Sequence, residues 1–177
     1  MTETYLGNCP TYSSQNERNA RAKIIDLFKN SPIPEDEILY NLPLFINRQQ
    51  LSRIFQLKHL YEQILDVHGV IMEFGVRWGQ NLALFTSLRG MLEPFNISRE
   101  IIGFDTFEGF NNLDPEDTTF IKHEEGDLHL PSGYEHTLAK ILAYQEQECP
   151  NSHIKKHEII KGDAIEEVPK YLKSNPQ

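Results

Sequence analysis

The chain has 177 residues, 39% of them apolar and 24% charged, with a formal net charge of −9. That length is one domain's worth, enough to bury a core, and the composition excludes a disordered chain. The acidic balance repels phosphate backbones and argues against a nucleic-acid partner, since the densest basic run is only Lys155-Lys156-His157.

Residues 1–15 are polar and predict a flexible N-terminus with neither an export signal nor a membrane span. Cys9 and Cys149 then read as reduced thiols of a cytoplasmic protein. Residues 16–68 predict a helical extension. Ser14 with Glu17 has the form of a capping box, and Ala20, Ile24, Leu27 and Phe28 follow on one helical face. Pro32 and Pro34 end that helix, and the apolar stretch Ile38–Ile46 is broken by Pro43. Asn47 with Gln50 can cap a second helix, with a buried stripe of Leu51, Ile54, Phe55, Tyr61, Ile64 and Leu65 up to about Val67, stopped by Gly69. His59 and His68 read as surface or capping groups.

From residue 69 the pattern changes. Val70–Phe74 is an apolar run of strand length, followed by the turn Gly75-Val76-Arg77-Trp78-Gly79 and a helix with Leu82, Phe85 and Leu88 that Gly90 closes. Ile101–Phe104 is a second strand ending at Asp105, and a long polar segment follows from Thr106 to Pro131. Ser132 and Glu135 can cap a helix carrying Leu138, Ile141 and Leu142. His157–Lys161 is a third strand, and Gly162-Asp163 turns into a last helix with Ile165, Val168 and Leu172. Strands alternating with helices predict an α/β fold, a Rossmann-like parallel sheet with helices on both faces. Such sheets bind ligands at the carboxyl ends of their strands.

Three strand ends therefore carry the candidate site. At the first, Gly75 allows a sharp turn and Gly79 a close approach to the helix start, where N–H groups are free. Glu73 just before the turn repels phosphate and suits a ligand with an ammonium or sulfonium charge, and GxGxxG spacing is absent, so a nicotinamide dinucleotide fits poorly. The same residues also suit a strand-to-helix turn in any α/β protein. Arg77 can steer a ligand carboxylate or pair with Glu73 or Asp105, and Trp78 either flanks a ligand or packs under the loop. At the second end, Asp105 can accept from both hydroxyls of a ribose, or serve as a turn or cap residue. At the third, Asp163 can accept from an adenine amino group, or cap the last helix with Glu166 completing a capping box.

These segments resemble a class I S-adenosylmethionine-dependent methyltransferase, and more narrowly the macrocin O-methyltransferase family, which methylates sugar hydroxyls of natural products. The resemblance rests on EFGVRWGQN (Glu73 to Asn81), FDTFEGF (Phe104 to Phe110) and KGDAIEEVP (Lys161 to Pro169) and covers about residues 67–173. The first motif is similar to that of cephalosporin hydroxylase-like proteins too. The resemblance implies S-adenosylmethionine as cofactor and a small-molecule acceptor. Glu73, Gly75 and Gly79 would border the methionine moiety, with Arg77 beside them. Asp105 would border the ribose, followed by Thr106 and Phe107, and Asp163 and Ala164 the adenine.

The resemblance also implies that residues 69–177 form a truncated fold. The complete family fold has strand order 3-2-1-4-5-7-6, and this chain supplies 3-2-1. Its first strand would then be an edge, which predicts homo-oligomer formation through the exposed sheet edge. The family's Asp-rich motif for a divalent metal is not seen. Candidate bases lie in the polar segment and just after it, at His123, Glu124, Glu125, Asp127, His129 and His136, with no single residue singled out; the segment reads as a lid over the acceptor or as a solvated acidic loop. A metal site of His123, Glu125 and His129 matches no known ligand spacing. The functional alternatives are an O-methyltransferase and a non-catalytic or fragmentary donor-binding module that needs a partner or a C-terminal half.

Overall fold

A computed structural model describes residues 5–6, 9–10, 13–110 and 126–176. The chain divides into two compact units, 1–56 and 57–177. Among the described residues no helix is long and apolar enough to cross a membrane.

In the first unit β1 (Tyr5–Leu6) pairs antiparallel with β2 (Cys9–Pro10). Helix α1 (Gln15–Lys29) starts at the expected capping box: the Ser14 hydroxyl accepts from the Glu17 N–H, and the Glu17 carboxylate accepts from the Ser14 N–H at 2.9 Å. The bond from the Ser14 N–H, and then one that the Ser14 hydroxyl donates at 3.0 Å, hold the Glu17 carboxyl below its ordinary range. One 3₁₀ turn, Glu35–Glu37, precedes the stretch that Pro43 interrupts, and another, Leu42–Phe45, lies within it. Phe28 meets Phe45 edge to face at 5.0 Å beside an apolar hollow. No residue of α1 is buried.

Helix α2 (Arg48–Glu62) is capped as expected, with the Gln50 N–H on the Asn47 Oδ1 at 2.9 Å. Its expected stripe is not buried. Tyr61 is enclosed, whereas Leu51, Phe55 and Leu65 are exposed, because periodicity marks a face and burial needs a neighbour on it. His59 and His68 are exposed. The helix ends at Glu62, not near Val67. Beyond it the chain continues in turns, with the Val67 N–H on the Ile64 carbonyl at 2.9 Å, and the buried Arg99 donates to the carbonyls of Ile64, Val67 and Gly69 at 2.7–2.8 Å.

The second unit holds a three-stranded parallel sheet: β3 (Ile71–Phe74), β4 (Ile101–Asp105) and β5 (His157–Lys161), in the order β3-β4-β5. Ile71 pairs with Ile101, and Ile101 with His157. As expected, the first strand is an edge, and β4 is central. Alternation along β4 divides the core. On one face Ile101 packs with Leu82 of α3 (Gln80–Leu92) and with Leu138 and Leu142 of α4 (Tyr134–Gln147). On the other, Ile102 and Phe104 pack with Tyr171 of α5 (Ala164–Ser174), flanked by Met72, Ile160 and Val168. Each fully buried Leu or Ile stabilises by about 1.5–3 kcal/mol.

Three local expectations change. Gly90 lies inside α3 rather than ending it, and its small size serves packing, since a Cβ there would overlap the Cys149 sulfur. The cap of α4 is Gly133 in left-handed conformation (φ 80°), not Ser132. In α5 the inward residues are Ala164, Val168 and Tyr171, while Ile165 and Leu172 are exposed. Of the basic run at 155–157, Lys155 is exposed while Lys156 and His157 are buried. Lys156 is buried and bonds Glu146 at 2.6 Å, and Glu146 also pairs with the buried Arg89.

Candidate functional site

The carboxyl ends of β3, β4 and β5 open onto a cavity of about 400 Å³, within the size range of small-ligand sites. Strand pairing continues to its floor: the Gly75 N–H bonds the Phe104 carbonyl and the Gly162 N–H the Asp105 carbonyl, both at 3.0 Å. Of the residues expected from sequence, Gly75, Arg77, Asp105, Thr106, Asp163 and Ala164 line the cavity. Glu73, Gly79 and Phe107 do not.

Gly75 is left-handed (φ 75°), and a Cβ on it would meet nothing within 4 Å. The space in front of it is the cavity itself. Gly79 is also left-handed (φ 77°), but it faces Leu138, which a Cβ would overlap. Its small size serves the packing of α3 on α4. Glu73 accepts from the Asn81 side chain at 2.7 Å in the first turn of α3. Trp78 is 47% exposed and meets Tyr134 edge to face at 4.9 Å. The Tyr134 hydroxyl donates to the Trp78 carbonyl at 3.0 Å, and burial raises its pKa.

Asp105 stands at the centre. Its Oδ2 accepts the Arg77 backbone N–H and its Oδ1 the Phe107 backbone N–H, each at 2.6 Å. Arg77 therefore meets Asp105 through its main chain, a contact distinct from the side-chain pairing with Glu73 or Asp105 weighed for it. Both donors sit at positive φ, 52° for Arg77 and 58° for Phe107, a conformation that costs a side-chain-bearing residue about 1–2 kcal/mol. Phe107 turns its ring into the core beside Leu82 and Leu138. Thr106 accepts the Glu108 N–H at 3.2 Å and so shapes the second turn.

One wall was missed in the sequence. Leu128 and Leu130 line the cavity together with Gly109 and Phe110. Residues 126–130 are stitched to the second turn by Phe110 N–H to Asp127 O (3.0 Å), Gly126 N–H to Phe110 O (2.9 Å) and Leu130 N–H to Phe107 O (3.3 Å). Gly109 makes this approach feasible, because a Cβ would overlap the backbone of Asp127 and His129. The available signal was Leu128 and Leu130 alternating among polar residues.

At the third strand end Asp163 caps α5, accepting the Ile165 N–H at 2.8 Å. Glu166 lies 3.9 Å from Lys170, and the capping contact recorded for this end is that of Asp163 alone. Among the candidate bases, His123, Glu124 and Glu125 lie outside the described residues. Asp127, His129 and His136 are described but do not line the cavity. The His129 Nδ1 is 2.9 Å from the Gly126 carbonyl. Among the described residues no group of His, Cys, Asp or Glu is placed to hold a metal ion.

No protein-family profile matches the sequence, and no curated protein does. Solved structures do. One is a crystal structure of CalS11, a calicheamicin methyltransferase, with a TM-score of 0.91 and 40% identity over 94% of this chain. Another is an apo structure of CalS11, described as a TDP-rhamnose 3′-O-methyltransferase of calicheamicin biosynthesis, with a TM-score of 0.80 and 39% identity over 94% of this chain. This chain spans 65% and 64% of the length of those two chains. Its three-stranded sheet and helices thus match part of a methyltransferase fold.

Proposed function

We propose that this chain, which belongs to the class I S-adenosylmethionine-dependent methyltransferases, binds S-adenosylmethionine in the strand-end cavity and serves O-methylation of a sugar or other natural-product hydroxyl. The observation that carries the reading is the convergence of Gly75, Arg77, Asp105, Thr106, Asp163 and Ala164 on one cavity. The residues present fit the donor. Gly75 leaves open space for close approach, and Arg77 beside it suits the methionine carboxylate. Glu73 favours the cationic end of the ligand through its charge. Asp105 keeps one lone pair on each oxygen for the ribose hydroxyls. Asp163 has a second oxygen for the adenine amino group, and Phe104, Leu128 and Leu130 give that ring apolar walls. Gly79 and Phe107 support the two turns from behind.

When bound, the donor supplies a sulfonium methyl that leaves by in-line displacement. The chain's part is to hold it at fixed orientation, which supplies much of the acceleration. A hydroxyl acceptor also needs a base, and no described residue is assigned that role. The related CalS11 acts on TDP-rhamnose by its description, and a deoxysugar hydroxyl is the acceptor class proposed here. A divalent metal belongs to the full-length family by resemblance, and among the described residues no ligand group for one is present. A cytoplasmic location is part of this reading and rests on the sequence, whose two cysteines, Cys9 and Cys149, lie far apart.

The second reading is a donor-binding module that works with a partner. It is favoured by the span of about 65% of the matched chain and by β3, whose outer edge has no pairing strand among the described residues. A titration of S-adenosylmethionine and S-adenosylhomocysteine, followed by Trp78 fluorescence and calorimetry with NAD as control, tests the shared premise. Saturable binding of the first two alone is expected, and a folded chain that binds neither refutes it. Methyl transfer from labelled donor to a nucleotide-linked deoxysugar then separates the two readings.

A further inference from the structure

We infer that Asp105 is a positioning residue as well as a ribose contact: its carboxylate clasps the first and second turns into the shape the donor needs. The inference rests on the proposed donor site and deepens it. The two turns follow different strands and lie 28 residues apart at Arg77 and Asp105. A single carboxylate joins them, one oxygen to each, at 2.6 Å. Bonds from backbone amides to an ionised carboxylate are short and charge-assisted.

Both amides belong to residues in left-handed conformation, at φ 52° and 58°. Such a conformation persists where surrounding structure over-determines it. For Phe107 the buried ring supplies a second anchor. Arg77 lines the cavity with its amide turned to Asp105, so loss of the clasp reaches the cavity lining of the first turn. The first turn is also the part that borders the methionine moiety. Asp105 thereby acts on ligand atoms that its own side chain does not touch. The two amides also hold the carboxylate in one orientation, with its remaining lone pairs fixed in advance of the ribose.

A pair of ligands separates clasp from contact. S-adenosylhomocysteine carries the ribose hydroxyls, and its 2′,3′-dideoxy analogue lacks them. A residue that acts only by touching the hydroxyls leaves the analogue's affinity unchanged on substitution. For the clasp, Asp105→Asn should weaken the analogue at least tenfold, because a carboxamide has one acceptor oxygen for two amides. In the free 177-residue chain the Arg77 and Phe107 amides should also exchange with solvent at least tenfold faster in that variant. Analogue affinity within twofold of wild type overturns the inference, even if exchange is faster. A wild-type chain that binds neither ligand refutes the donor reading, and the clasp then stands or falls on the exchange rates alone. If Asp105→Asn does not fold, the wild-type chain decides: both amide nitrogens should show scalar coupling across the hydrogen bond to the Asp105 carboxyl carbon. Amides without that coupling overturn the clasp.

Discussion

Two glycines in one turn separate folding from binding. Gly79 and Gly75 are both left-handed, but a Cβ on Gly79 would overlap Leu138 while a Cβ on Gly75 would meet nothing. Gly79→Ala combines backbone strain with overpacking and should destabilise by about 2–4 kcal/mol, read by urea denaturation. Gly75→Ala should cost only about 1 kcal/mol of stability. Its Cβ would stand in the cavity, so it should lose donor affinity out of proportion, tenfold or more by calorimetry. Equal effects at the two positions would place both glycines in the same role.

At the scale of elements, two buried polar networks hold the second unit together. Arg99 donates to three carbonyls after α2 and to Glu93 at 3.0 Å, and Glu93 accepts the Tyr61 hydroxyl at 2.7 Å. Burial pushes the Glu93 carboxyl up, but the bonds from Arg99, Tyr61 and Asn96 outweigh it and leave the group below its ordinary value. Burial first, and then the bond to Glu93, push the Tyr61 phenol up. Arg99→Ala removes the cation from the Glu93 carboxylate and this donor from three carbonyls. A loss of about 3–5 kcal/mol is expected by denaturant titration. Tyr61→Phe removes one neutral donor and should cost about 1–2 kcal/mol.

The second network joins α3, α4 and the start of β5 through Arg89, Glu146 and Lys156, with His157 buried next to it. Burial, then the charge of Lys155, hold the His157 pKa below 6.5. The folded imidazole therefore resists protonation that the unfolded chain accepts. Stability is unaffected above the unfolded value and falls as pH drops from 6.5 toward the folded pKa. Melting temperature should decline across that window, and His157→Gln should flatten the decline. A variant as pH-sensitive as wild type would exclude His157 as the cause.

For the whole molecule, ligand linkage gives a simple reading. Donor at a hundredfold excess over its Kd should stabilise the chain by about 2.7 kcal/mol, visible as a concentration-dependent rise in melting temperature. NAD should leave it unchanged. The outer edge of β3 makes a second expectation. Unpaired strand edges recruit other strands, and β3 presents Phe74 exposed beside Phe104. Sedimentation velocity should show concentration-dependent association, which Phe74→Lys suppresses. A chain that stays monomeric at high concentration would remove the edge as an oligomer contact.

Local signals determined much of this protein. The caps at Ser14, Asn47 and Asp163, the strands at 101–105 and 157–161 and the glycine turn after Phe74 follow from chemistry within a few residues. The three strand ends were legible as one site because parallel topology brings carboxyl ends together. Tertiary structure decided what depends on distant partners. It left Leu51 and Phe55 uncovered, sealed Tyr171 in place of Leu172, and buried Lys156 against Glu146. It also turned the two oxygens of Asp105 to amides on separate turns. Periodicity specifies which face of an element is apolar, and motifs specify which groups can bond. Which face is covered and which bond forms depend on what the rest of the chain brings there.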